Sequence, residues 1–281
     1  MKIFLLLALL SFVVSGPVQS IEFANALSFG GGGAGRLNRP IASGLLDLPS
    51  SLTNRSWMFE SGYSREYGLS EFDRFYIATA GRRGSFSAAL GLAQFGSADF
   101  YAEQTIKVMV AYHYRKFMLS TLLSGMQVRF GSGYSKMSTQ TAGFGAAFEH
   151  KYFITALSVD NINSPKLHPG AEPLEPNWRW QVQSLIWQSF SFTAGIKVTG
   201  TDDFRLLLAQ DISLGTDNSF FWGINTRPLT YGGGVLLHVP SAALIYAVSN
   251  HPVLGLSHSI SISLGNFKNR SRPKRGDDEF E

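Results

Sequence analysis

The sequence predicts an all-β fold, a transmembrane antiparallel β-barrel of about 14 strands with an N-terminal hatch segment, and three observations carry that expectation. Apolar and polar residues alternate with a period of two in segment after segment from Trp57 onward. Tight turns alternate with longer loops along the chain, as they do in barrels that turn back briefly on one side of a membrane and widely on the other. The final segment, Leu254 to Phe267, sets Leu256, Ile260, Ile262 and Leu264 against Ser257, Ser259, Ser261 and Ser263 just before a charged tail. A last strand of this kind can pair with the first and leave no open edge.

The N-terminus reads as a targeting segment over residues 1–20: Met1-Lys2 is the positive start, Ile3 to Val14 the apolar core, Gly16-Pro17 a break, and Val18-Gln19-Ser20 a small-residue cleavage site. No later run supplies the roughly 18 consecutive apolar residues of a spanning helix, so insertion has to be by strands. Residues 21–56 lack strand periodicity. They hold Gly30, Gly31, Gly32, Gly33 and Gly35, then Arg36 and Arg39, then the small and apolar Ile41 to Leu48. No Gly-Lys-Ser/Thr follows the glycines, which excludes a phosphate loop, and a compact hatch in a barrel mouth is the expectation.

The barrel is expected over residues 57–267. Trp57 to Tyr67 opposes Trp57, Phe59 and Tyr63 to Glu60 and Ser64, and Phe72 to Ala80 opposes Phe75 and Ile77 to Arg74 and Tyr76. Ser85 to Phe95 and Glu103 to Tyr114 continue the pattern, the latter with Lys107 and His113 on the polar side. In Phe117 to Phe130 the later half sets Met126, Val128 and Phe130 against Gln127 and Arg129. Thr141 to Glu149, Tyr152 to Asp160, Trp178 to Trp187 and Phe190 to Val198 follow, with Glu149, Arg179 and Lys197 interleaved. Phe204 to Leu214 carries Arg205 and Asp211, and Ser219 to Asn225, Tyr231 to Val239 and Ala242 to Ser249 precede the last strand. Gly81 to Gly84, Arg115-Lys116, His150-Lys151, Gln188-Ser189 and Pro240-Ser241 read as tight turns. Gly96 to Ala102, Gly131 to Met137 and Asn161 to Pro176 read as loops on the other side. An even strand count puts both termini in the periplasm of a Gram-negative outer membrane.

If lipid lies outside, the interleaved charges point into the lumen: Glu60, Arg74, Lys107, Arg129, Glu149, Arg179, Lys197, Arg205 and Asp211. Their mixed sign suits charges that neutralise one another or hold a hatch rather than a selectivity ring. Twenty-two phenylalanines and only 16% charged residues are consistent with an apolar outer band. The formal charge of +4 is scattered apart from the tail at residues 268–281, which argues against a nucleic-acid partner. The absence of cysteine excludes disulfides, thiol catalysis and thiolate metal sites, and no cofactor is expected. His258 beside Ser257 and Ser259 is the one suggestive catalytic cluster, but neighbours on a strand point to opposite faces, so no enzyme is expected.

Ala26-Leu27-Ser28-Phe29-Gly30-Gly31-Gly32-Gly33-Ala34-Gly35 resembles the start of PorV/PorQ-type proteins, a branch of the FadL-like outer-membrane barrels. Leu254 to Ile262 is similar to the family's final strand, whereas Leu46 to Asn54 departs from the family's Asp-rich stretch. The resemblance implies a barrel of about 14 strands with an N-terminal hatch. It also implies one of two roles: passage of a small hydrophobic solute, or partnership with secretion-system proteins that export to the cell surface, as in type IX secretion.

Overall fold

The protein is described by a computed structural model over residues 25–38, 41–49, 56–97, 99, 101–131, 136–167, 170–186, 189–200, 203–215 and 218–265. Fourteen strands make up most of it: β1 (Trp57–Arg65), β2 (Asp73–Arg83), β3 (Phe86–Ser97), β4 (Tyr101–Tyr114), β5 (Phe117–Phe130), β6 (Met137–Glu149), β7 (Phe153–Asp160), β8 (Asn177–Ser184), β9 (Phe190–Thr199), β10 (Asp203–Leu214), β11 (Asn218–Thr226), β12 (Leu229–Val239), β13 (Ala242–His251) and β14 (Gly255–Gly265). Each pairs antiparallel with its neighbours in sequence, and β14 returns to β1 with Met58 opposite Gly265 and Arg65 opposite His258. Closure satisfies every edge with a partner strand. The first strand begins and the last ends at the same rim, called here the terminal end. The opposite rim is the distal end.

Strand parity follows the alternation in the sequence. Trp57, Phe59 and Tyr63 on β1 and Leu256, Ile260, Ile262 and Leu264 on β14 are exposed, whereas Glu60, Ser64, Ser257, Ser259, Ser261 and Ser263 are buried inward. The outer wall is therefore apolar around the circumference, with Leu119 63%, Phe144 54% and Ile262 50% exposed. A closed barrel with this exterior fits a bilayer, where each backbone group must be bonded within the sheet. Among the described residues no helix is long and apolar enough to cross a membrane.

β5 corrects one expectation. Met126 and Val128 are almost fully buried inside, and Arg129 is exposed on the outer side near the distal end. The strand runs 14 residues in unbroken register with β4, so Phe117, Leu119, Thr121 and Leu123, which face out, carry Gln127 and Arg129 with them. Arg129 is not a lumen residue.

Connections at the terminal end are short throughout, from 84–85 to 240–241. Long distal connections belong to the first eight strands, at 66–72, 131–136 and 161–176; those at 200–202, 227–228 and 252–254 are as short as the turns below them. The expected loop at Gly96 to Ala102 narrows to 98–100, because Gly96 pairs with Ala102 and Ser97 with Tyr101.

Two short helices, α1 (Ala26–Gly30) and α2 (Ala42–Asp47), lie inside the barrel. Asn25 caps α1, its side-chain oxygen accepting from the Ser28 amide at 2.8 Å. Leu45 and Leu46 of α2 are 1% exposed and pack on Met58, Tyr76, Ala78, Met109 and Met118 of the wall. Ala26 and Leu27 of α1 pack on Phe221, Leu236, Ile245 and Ala247 on the opposite side. The targeting segment at 1–20 and the charged tail at 268–281 lie outside the described residues.

Candidate functional site: the plug and its seats

The residues that separate this barrel from an open tube are those joining the N-terminal segment to the wall. α2 sits in a polar seat. The Glu60 carboxylate, fully enclosed, accepts from the Ser43 amide at 2.9 Å and hydroxyl at 2.6 Å, and from the Tyr76 hydroxyl at 2.7 Å. Lys107 reaches Asp47 at 3.1 Å and stands 3.9 Å from Asp160 of β7. Ser158 donates to the Asp47 carbonyl at 3.1 Å. A buried ammonium between two carboxylates is tolerable only because each charge meets its opposite; removal of one member leaves the others stranded.

Between the helices the chain is held by its backbone. The Gln183 side-chain oxygen accepts from the amides of Leu37 and Asn38, both at 2.8 Å, and that of Gln181 accepts from Gly35 at 3.1 Å. Arg36 pairs with Asp211 of β10 and donates to the Ser219 hydroxyl at 3.1 Å. Irregular backbone buried in this way needs such acceptors, since it has no ladder of its own.

α1 sits in a seat of another kind. Gly32 adopts φ +62°, and a Cβ there would lie 2.5 Å from the Ile224 backbone. On the facing wall a Cβ at Gly223 would lie 2.1 Å from the Gly31 carbonyl oxygen. Backbone meets backbone, a distance that glycine alone allows.

The other charges expected in the lumen do not all join this site. Arg179 is buried on β8, and Lys197 and Glu149 are half-buried on the inner parity of β9 and β6. Arg205 pairs with Asp203 two residues away on the same strand. Arg74 pairs with Glu66 at 2.9 Å and lies 5.3 Å over the Phe95 ring, in a distal cluster that includes Tyr67, Phe72, Tyr101 and Phe130. Arg39 lies outside the described residues. Ser43, Asp47 and Asp160 are not among the lumen residues that the sequence predicts, whereas Gln181 and Gln183 share the polar face of β8 with Arg179. The two glutamines alternate with Trp180 and Val182, and amides in that position, too costly to bury without partners, were the available signal.

Ser257 and Ser259 do not share a face of β14 with His258. Ser257 and Ser259 are buried inward, while His258 points out and its Nδ1 lies 2.8 Å from the Tyr246 hydroxyl. Ser87 and His113 are 2.8 Å apart on β3 and β4, and both are buried.

No protein-family model and no curated protein matches the chain. Among solved structures it is similar to a triple mutant of the porin of Rh. blastica, at 12% identity and a TM-score of 0.44, covering 75% of this chain and 98% of the porin. A second triple mutant, of the Rhodopseudomonas blastica porin, matches at 11% identity with the same score and coverage. The barrel described above rests on its own strand pairing.

Proposed function

We propose that this chain is an outer-membrane barrel, both termini periplasmic, that is closed at rest by its own N-terminal segment and passes a small hydrophobic solute when that segment moves. The observation that carries the reading is the pair of seats: Glu60, Lys107 and Asp211 belong to the wall, yet their partners Ser43, Asp47 and Arg36 belong to the plug. Without the plug these charges would need water, and the lumen would be a polar pore. The hydrophobic class of solute follows from the FadL-like resemblance and from the apolar surface of Leu45 and Leu46, which a solute could replace.

The test is deletion of Phe23 to Leu48 with the targeting segment kept. The full chain should be silent in planar bilayers, and the deletion variant should conduct steadily while migrating faster on a gel unheated than heated. A variant with that mobility shift and no conductance would overturn the channel reading. A second reading, a non-conducting scaffold that partners secretion-system proteins, would then stand. It is favoured by the extent to which plug and wall share two apolar clusters, as the parts of a soluble core do.

A further inference from the structure

The outer wall over β3 to β7 departs from a smooth cylinder. A concavity of about 570 Å³ opens there toward the lipid side, lined by Phe86, Val110, Tyr112, Leu119, Phe144 and Leu157. Strand register explains it. Leu119 stands opposite Ala146, which stands opposite Leu157, and Val110 stands opposite Thr121, which stands opposite Phe144. Small Thr121 and Ala146 thus alternate with large neighbours across the rungs and leave a trough.

The terminal-end turns below this trough are basic. Arg83 ends β2, Arg115-Lys116 joins β4 to β5, and His150-Lys151 leads into β7; Arg83, Arg115, Lys116 and Lys151 are all exposed. Two of these cations lie over aromatic rings: the Arg115 guanidinium is 5.4 Å from the centre of the Tyr114 ring, and the Lys151 ammonium is 5.7 Å from that of Tyr152. Glu149, the carboxylate flanking these turns, belongs to the inward set of β6. The remaining connections at this rim, residues 185–189, 215–217 and 240–241, contain no Lys or Arg. Among the strand-to-strand connections of this rim, Lys and Arg therefore fall beneath the sector that carries the trough.

The geometry points to a binding site for one anionic phospholipid: phosphate on Arg115, Lys116 and Lys151, one acyl chain in the trough. This rests on the reading of the chain as a membrane barrel. Leu119 is three residues along β5 from Lys116, about 10 Å, and the two turns are two strands apart, again about 10 Å. Those spans match a headgroup held at the level of the aromatic rings with its chain running up the wall. Guanidinium and ammonium groups at headgroup depth bind phosphate by charge-assisted hydrogen bonds, and basic clusters there select anionic over zwitterionic lipid.

The experiment uses the full chain refolded in detergent, with phosphatidylglycerol and phosphatidylcholine of identical acyl chains supplied in equal amounts and retained lipid counted by native mass spectrometry. Phosphatidylglycerol should be retained roughly tenfold over phosphatidylcholine, the direction set by basic groups at headgroup depth. Combined Arg115→Gln, Lys116→Gln and Lys151→Gln should bring the two lipids level. Ala146→Leu should reduce retention of both and leave the preference for the anionic lipid intact. Equal retention by the unaltered chain, or an undiminished preference in the triple variant, would overturn the site. Stronger retention of lipid A than of phosphatidylglycerol would overturn the assignment to a phospholipid. Loss of the heat-dependent gel shift in the unaltered chain would instead overturn the membrane reading on which the site rests.

Discussion

One continuous segment meets the barrel wall in two places by opposite means. At α1 the contact works by removal of side chains: Gly32 and Gly223 bring two backbones together, and Phe221, Ile245 and Ala247 close over Ala26 and Leu27. At α2 charge is added to apolar packing: Leu45 and Leu46 lie in a buried cluster, and beside them Lys107 sits between Asp47 and Asp160 and Glu60 is bound to Ser43 and Tyr76. The difference teaches how a plug can be both seated and removable. Close-packed contact falls away steeply once the surfaces part, so the α1 seat is all or none. Charges that lose a protein partner can be rescued by entering water, so the α2 seat has an alternative state within reach. The α2 side is accordingly the side from which the plug should leave.

The absence of cysteine lets each seat be read separately, because Ala26→Cys and Ala42→Cys, at positions with no exposure, report by their rate of thiol labelling. The largest effect should come from Lys107→Met, which removes the ammonium from between Asp47 and Asp160: about 3–5 kcal/mol of destabilisation, read as rapid labelling at position 42 and slow labelling at position 26. Equal labelling at both would mean the two seats are one unit. Leu206→Arg acts on neither seat but on the outer wall, where Leu206 pairs with Ile196, and should cost roughly 2–4 kcal/mol if it lies near the bilayer midplane. It should release both positions together in an urea-unfolding series, whereas the inward Thr193→Asn on the neighbouring strand should change little.

Gly223→Ala should reverse the pattern of Lys107→Met. The new methyl collides with the Gly31 carbonyl, an overpacking of about 1–3 kcal/mol, and should speed labelling at position 26 first. The smallest effect is expected from Ser43→Ala, about 1 kcal/mol, because Glu60 keeps the Ser43 amide and the Tyr76 hydroxyl. Single-channel recording of that variant should show rare brief openings. A silent trace with unchanged labelling would remove Ser43 from the α2 seat.

The wall was legible because a strand in a barrel has only two environments, and alternation records both: Glu60, Lys107, Arg179 and Asp211 lie on the inner parity that their apolar neighbours imply. Reading failed where the alternation was interrupted. On β5 the run Ser124-Gly125-Met126 carries no contrast between faces, so the local pattern of the later half falls one residue out of phase and implies Arg129 inside. The pairing of Arg36 with Asp211 was within reach of charge logic alone. That Asp47 should find Lys107 and Asp160 was not, because the three residues come from a helix and two strands far apart in sequence.

By itself the sequence determined the class of fold, the number of strands, their facing and the existence of a separate segment before them, since each follows from local periodicity and its interruption. Only the tertiary structure decided what that segment does inside the wall. Closure of β14 on β1 brings β11, β12 and β13 around to face β1 to β4 across the interior, so that one chain of glycines and leucines can touch both sides at once. Such contacts depend on curvature and on the register of the whole ladder, quantities to which every strand contributes and which no single stretch of residues encodes.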